Sequence, residues 1–270
     1  MRSLLIAAAA AALLAGCAGD GQSPAGPPPS PTPAVLPTAT EAPLPPDGAC
    51  YRLRYAEALA PTNDREPVDC AGRHLSQTFA VGRLDTVVDG HLLAVDSVRV
   101  REQVARRCPA ALGDFLGGSE EDRRLSMLRA VWFTPTVEAS DSGAGWYRCD
   151  VIALAGAERL APVTGTLADV LGRAEGRDRW GMCGTAAPDA PDFARVACSA
   201  EHSWRAVSVV DLPPGAYPGA ADVREAGQAP CEDAGRDAAD DPLDYRWGYE
   251  WPTAEQWQAG QTYGRCWAPD

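Results

Sequence analysis

Two histidines stand at the same distance behind a cysteine, in Cys70-x3-His74 and Cys198-x3-His202, and the only other histidine, His91, lies apart from both. A Cys-x3-His pair offers zinc two ligands, but each site would need two more, and its sulfur would have to remain a thiolate. As a general base, either imidazole would need a nucleophile, and neither a G-x-S-x-G serine nor a free cysteine beside it is present. The simpler reading bonds each ring to backbone next to a disulfide, so His74 and His202 are read as structural. No metal, cofactor or catalytic residue is expected. Glutamates recur as well, in Pro135-Thr136-x-Glu138 and Pro252-Thr253-x-Glu255. A glycosidase needs two carboxylates per site, and no second acid recurs. Pro-Thr-x-Glu is also how a helical turn begins, with the acid near its positive end. Arg148 and Arg265 then become candidate partners for those glutamates.

These residues recur because longer stretches recur. Setting Cys17 aside leaves eight cysteines, in two sets: Cys50, Cys70, Cys108, Cys149, then Cys183, Cys198, Cys231, Cys266. Both sets end in P-T-x-E-x4-G-x2-[Trp or Tyr]-x-R-C without insertion, which implies a tandem repeat of one module. An even number of cysteines in an exported chain implies disulfides. Four cysteines allow three pairings. First with second and third with fourth is favoured, because Cys183 and Cys198 flank a short proline-containing segment that can return as a hairpin. The second bridge then ties a helix to the last strand.

The elements that must hold these residues follow from residue type and period. Leu75 to Val81 and Arg205 to Val210 read as strands. From Ser97 as N-cap, Val100, Val104, Cys108, Leu112 and Phe115 form one apolar helical stripe, whose counterpart carries Cys231. Arg129 to Phe133 and Trp146 to Leu154 read as closing strands. The fold class is α+β: two tandem copies of a small disulfide-stapled module, each a mostly antiparallel sheet with one main helix. The expected organisation is a lipoprotein signal peptide (1–16), a lipidated cysteine with a proline-rich disordered tether (17–47), a first module (48–155), a linker (156–179) and a second module (180–270).

The signal peptide rests on Arg2, the apolar run from Leu4 to Leu14 and the small residues after it, a stretch too short to span a bilayer. Leu14-Ala15-Gly16-Cys17 has the form of a lipobox, which makes Cys17 the acylated (palmitate-bearing) N-terminus of an extracytoplasmic protein anchored to the cell membrane. The chain contains no lysine, all 24 basic residues being arginine, which excludes a Walker A loop, a Schiff base and an S-x-x-K acyl enzyme. A net charge of −13 without a basic stripe argues against nucleic acid. From Cys183 onward fifteen acids accompany six arginines, so the acidity is concentrated there. Trp247, Tyr249, Trp251, Trp257, Tyr263 and Trp267 are the candidate binding residues. Exposed, they could stack on sugars or anchor a partner; burial as core is the preferred reading.

The cysteine near an Asp-Gly turn (Asp47-Gly48), the V-x-C with histidine four positions on, the helical cysteine and the ending Trp251-Pro252…Trp257…Gly260…Cys266 resemble the septum-formation domain of actinobacterial envelope proteins. The resemblance covers about 47–150 and 180–270; the first copy departs from it where Ala139 to Ser142 leave Trp257 without an aromatic counterpart. It implies a connection with cell division and carries no enzymatic activity with it. The expected function is that of a non-enzymatic cell-envelope lipoprotein with two binding modules, whose partners are the membrane, through the lipid, and a cell-wall or division-machinery component. The alternative is a cell-wall hydrolase or metal-dependent enzyme using His74 and His202.

Overall fold

The computed structural model describes residues 41–270. The expected signal peptide, Cys17 and the expected tether up to residue 40 lie outside the described residues. In chain order the first part holds β1 (Cys50–Tyr51), α1 (Tyr55–Ala58), β2 (Ser76–Arg83), a β3–β4 hairpin (Val87–Val88, His91–Leu92), α2 (Val98–Leu116), α3 (Glu120–Arg124), β5 (Leu128–Phe133), α4 (Val137–Asp141), β6 (Trp146–Gly156) and β7 (Arg159–Leu160). The second holds α5 (Ala174–Trp180), β8 (Met182–Gly184), β9 (Arg195–Ala197), β10 (Trp204–Asp211), α6 (Ala220–Ala226), α7 (Gln228–Ala238), β11 (Gly248–Glu250), α8 (Ala254–Gln258) and β12 (Tyr263–Pro269). Among the described residues no helix is long and apolar enough to cross a membrane.

Two antiparallel sheets dominate, ordered β1-β2-β6-β5, with β7 on β6, and β11-β12-β10-β8-β9. Their registers run parallel. Thr78 faces Asp150 and Ala80 faces Cys149 across a bulge in β2; Ala206 faces Trp267 and Ser208 faces Cys266 across a bulge in β10. Cys50 pairs with Gln77 and Cys183 with Arg205, seven positions beyond Cys70 and Cys198 respectively. A one-residue slip would turn every side chain to the other face, so coincident bulges mark the same inward and outward assignment in both sheets.

The cysteines pair in chain order: Cys50–Cys70, Cys108–Cys149, Cys183–Cys198 and Cys231–Cys266. The Cys183–Cys198 bridge joins the β8–β9 hairpin, and the Cys108 and Cys231 bridges tie α2 to β6 and α7 to β12. Alternation along β6 sends Cys149, Val151 and Ala153 toward α2, while Ile152 packs with Tyr51, Val131 and Phe133 on the other face. Helix α2 spans the stripe read from sequence, with Val100, Val104, Cys108 and Leu112 buried. Its first residue follows Ser97 as expected, but the Ser97 hydroxyl caps nothing, and Leu116 rather than Phe115 completes the buried face.

Residues 156–179, expected as a linker, belong to the core instead. Val163, Leu167, Val170 and Leu171 are buried with Trp180 against α2 and the first sheet. Their apolar side chains are spaced by three and four and close a face the sheet would otherwise leave wet. The described residues are accordingly one compact unit. Between the sheets Met127, Met182, Trp204, Ala206 and Trp267 share a cluster, joined by backbone bonds from Met127 to Trp180 (2.7 Å) and from Met182 to Leu125 (2.6 Å). The end of the expected tether also docks, with Ala42 N–H on the Gly143 carbonyl at 3.1 Å.

Candidate functional site

The recurring arginine occupies the same strand position in both sheets, facing Phe133 in the first and Glu250 in the second. Arg148 is 3 % exposed, with its guanidinium 3.9 Å from the Tyr51 ring centre and 4.7 Å from that of Phe133. Its Nε lies 3.0 Å from Oδ1 of Asp150, which also accepts from the Thr78 hydroxyl at 2.8 Å, while Ser76 donates to Oδ2 at 3.1 Å. Burial pushes the Asp150 carboxyl up, and Arg148 and the two hydroxyls pull it back only in part. The Arg148 charge is thus closed inside the first sheet's own face.

In the second sheet the acid and the aromatic have exchanged places. Trp267, fully buried, stands where Asp150 stands, and Glu250 where Phe133 stands. Arg265 donates from Nε to the Arg124 carbonyl at 3.1 Å and from Nη2 to the Tyr263 hydroxyl at 3.2 Å, and its Nη1 lies 3.7 Å from Glu250 Oε2. Neither arginine reaches Glu138 or Glu255. Those acids are exposed, one residue inside helical turns capped by Thr136 and Thr253, which makes them too distant from the buried strand positions. The Glu138 carboxyl is drawn down by its own backbone N–H and the Thr136 hydroxyl, as the first turn of a helix favours.

Because Glu250 faces away from its own helix, Arg265 opens onto a cleft between the two sheets. Its volume is about 580 Å³, and its lining includes Arg129 of β5, Arg195 of β9, Glu250, Tyr263 and Arg265. Arg129 donates to the Ser126 and Leu128 carbonyls at 2.8 and 2.7 Å and has no carboxylate partner among the described residues. Arg195 contacts Glu250 Oε1. Burial and the nearby Arg265 charge hold both Arg129 and Arg195 down at about 10. Composition hid this site: two of its arginines sit in the acidic half, and its third comes from the other sheet. The open signal was the Phe133-to-Glu250 exchange at matched positions before the recurring Pro-Thr.

The histidines take up structural contacts. His74 is buried, its Nδ1 3.1 Å from the Gly72 carbonyl, beside the Cys50–Cys70 bridge. His202 sits with Nδ1 2.6 Å from the Ala200 carbonyl and Nε2 3.0 Å from Asp270 Oδ2. Cys183, His202 and Asp270 converge within metal-ligand spacing. The Cys183 sulfur is bonded to Cys198, however, and Asp270 already accepts from Arg205 at 2.8 Å, so the donor set does not fit a thiolate-bound metal. The six aromatics do not share a face: Trp267 lies between the sheets, Trp251 and Trp257 pack with Leu212 and Val223, and Trp247 and Tyr249 pack around Cys231–Cys266. Gly227 and Gly264 admit the Tyr249 ring, which a Cβ at either position would meet at 2.0 and 2.3 Å. Of the six, Tyr263 lines the cleft, its ring 4.4 Å from the Arg124 guanidinium and 5.1 Å from that of Arg265.

No curated protein and no solved structure matches the chain. The family model described as septum formation matches residues 23–137 and 47–266, and the longer match runs through both sheets and the cleft between them. The chain belongs to the septum-formation family.

Proposed function

We propose that the protein is a non-enzymatic lipoprotein of the cell envelope, with residues 1–16 as its signal peptide and Cys17 as its acylated anchor. On the extracytoplasmic face of the cell membrane, a proline-rich tether would carry two copies of one disulfide-stapled module that bind a cell-wall or division component. Two or three acyl chains, at ~0.8 kcal/mol per buried methylene, suffice to hold a folded body at a bilayer. Duplication is supported by the shared strand order, the coincident bulges and the in-order bridges.

One observation carries the non-enzymatic part: the recurring histidines and cysteines are engaged in holding the fold. His74 and His202 bond backbone carbonyls, the eight cysteines are bridged, and Glu138 and Glu255 sit in the first turns of helices capped by Thr136 and Thr253. A role in septum formation is supported by the family match. Detergent phase partition of the full chain, with fluorescence imaging of a tagged copy in dividing cells, tests the reading. The wild type should enter the detergent phase and collect at septa, and Cys17→Ala should leave the detergent phase. Aqueous partition of the wild type, or an even distribution along the cell, would overturn it.

A further inference from the structure

We infer that the cleft between the two sheets is a binding site for an oxyanion, a carboxylate or phosphate group carried by a small ligand, held by Arg129, Arg195 and Arg265. The inference deepens the proposed binding role by naming what the body recognises. Its starting point is charge. Three guanidinium groups line the cleft, facing Glu250 as the inner carboxylate and Glu158 at the exposed rim. Glu250 serves Arg195 and, at 3.7 Å, Arg265. Arg129 is compensated by carbonyl oxygens alone. A chain of net −13 thus gathers a local positive excess where water is partly excluded, an arrangement that costs stability unless an anion completes it.

Geometry agrees. The Arg195 Nε is buried with no hydrogen-bond partner among the described residues, and so is Glu250 Oε2. The Nε donor left over on Arg195, whose Nη2 already contacts Glu250, can make one charge-assisted bond to an oxygen of a carboxylate or phosphate. The volume of about 580 Å³ lies in the range of small-ligand sites. Apolar walls from Leu154, Phe193 and the Tyr263 ring leave room for the body of the ligand beside its charged end. The first sheet provides the internal contrast. There Asp150 neutralises the equivalent arginine and Phe133 covers it, so no charge is left to offer. Replacing that pair by Trp267 and Glu250 moves the acid to the cleft wall, where it meets Arg195 as well.

The test titrates the full-length protein, in detergent micelles at constant ionic strength, with sodium phosphate and separately with sodium glutarate, against chloride. Binding is read by calorimetry and by the shift in melting temperature. Saturable binding of one probe is expected, and which probe saturates tells a phosphate-bearing from a carboxylate-bearing ligand. Arg129→Gln and Arg195→Gln should each weaken it by about tenfold or more, the scale of one charge-assisted bond. Glu250→Gln, which removes the internal counter-charge, should tighten binding. Absence of saturable binding by both probes would overturn the inference, as would undiminished binding in both arginine variants. Membrane partition and septal localisation do not depend on that result, so the two readings can fail separately.

Discussion

Asp150 is the most exacting place to perturb the fold. It is fully buried, lies 3.0 Å from Arg148 Nε, and takes hydroxyl bonds from Thr78 and Ser76. Asp150→Ala leaves Arg148, itself 3 % exposed, as an unpaired buried charge, a change that typically costs ~3–5 kcal/mol. Two orphaned hydroxyls would add ~1 kcal/mol or more each where no water can reach them. The double variant Arg148→Met/Asp150→Leu removes both charges at similar volume, a change that is by itself often neutral or stabilising, so its cost should be little more than that of the two orphaned hydroxyls, ~2 kcal/mol or somewhat above. Urea unfolding of wild type, Arg148→Met, Asp150→Leu and the double variant under non-reducing conditions gives the coupling energy directly. A single Asp150→Ala cost below ~1 kcal/mol, or additive single and double effects, would refute the claim that this pair is a closed, desolvated unit.

The bridges should differ in weight with the loops they close. Removing Cys108–Cys149, whose cysteines are 41 residues apart, should cost ~3.9 kcal/mol, and removing Cys183–Cys198, 15 apart, ~3.0 kcal/mol. Paired Cys→Ala variants compared by denaturant midpoint check both the size and the order. Burial would raise the Asp270 carboxyl, but Arg205 and His202 outweigh it and hold the group below its ordinary 3.8. Its stabilisation is therefore fully present above that value and disappears as pH falls through the lower, folded one. The stability gap between wild type and Asp270→Asn should be no more than ~1 kcal/mol given the partial exposure, and should close in acid as Asp270 protonates.

What could be read before any coordinates were those features that repeat or keep a period. The ending P-T-x-E…R-C marks a capped turn followed by a strand in both halves, because Thr136 and Thr253 each accept a bond from the N–H three residues on. The four-residue steps from Val100 to Leu112 mark α2, because one face must meet β5 and β6. Residues 156–179 escaped because charged residues and glycine make up half of them, and four apolar side chains suffice to close a core when a sheet is already in place. The arginine cleft escaped for a different reason. Its charges come from β5, β9 and β12, and no spacing along one chain records a meeting of three strands across two sheets. The arginine–glutamate pairing expected from proximity in sequence failed because each arginine is buried in a strand while each glutamate is exposed in a helical turn.

Peptide mapping of the purified protein by mass spectrometry under non-reducing conditions tests most directly whether two matched sheets, each closed by its own pair of bridges, make up the body. It should return four cross-linked pairs, Cys50 with Cys70, Cys108 with Cys149, Cys183 with Cys198 and Cys231 with Cys266. Free thiols at Cys70 or Cys198 accompanied by bound metal, or any bridge joining a cysteine of the first set to one of the second, would contradict it.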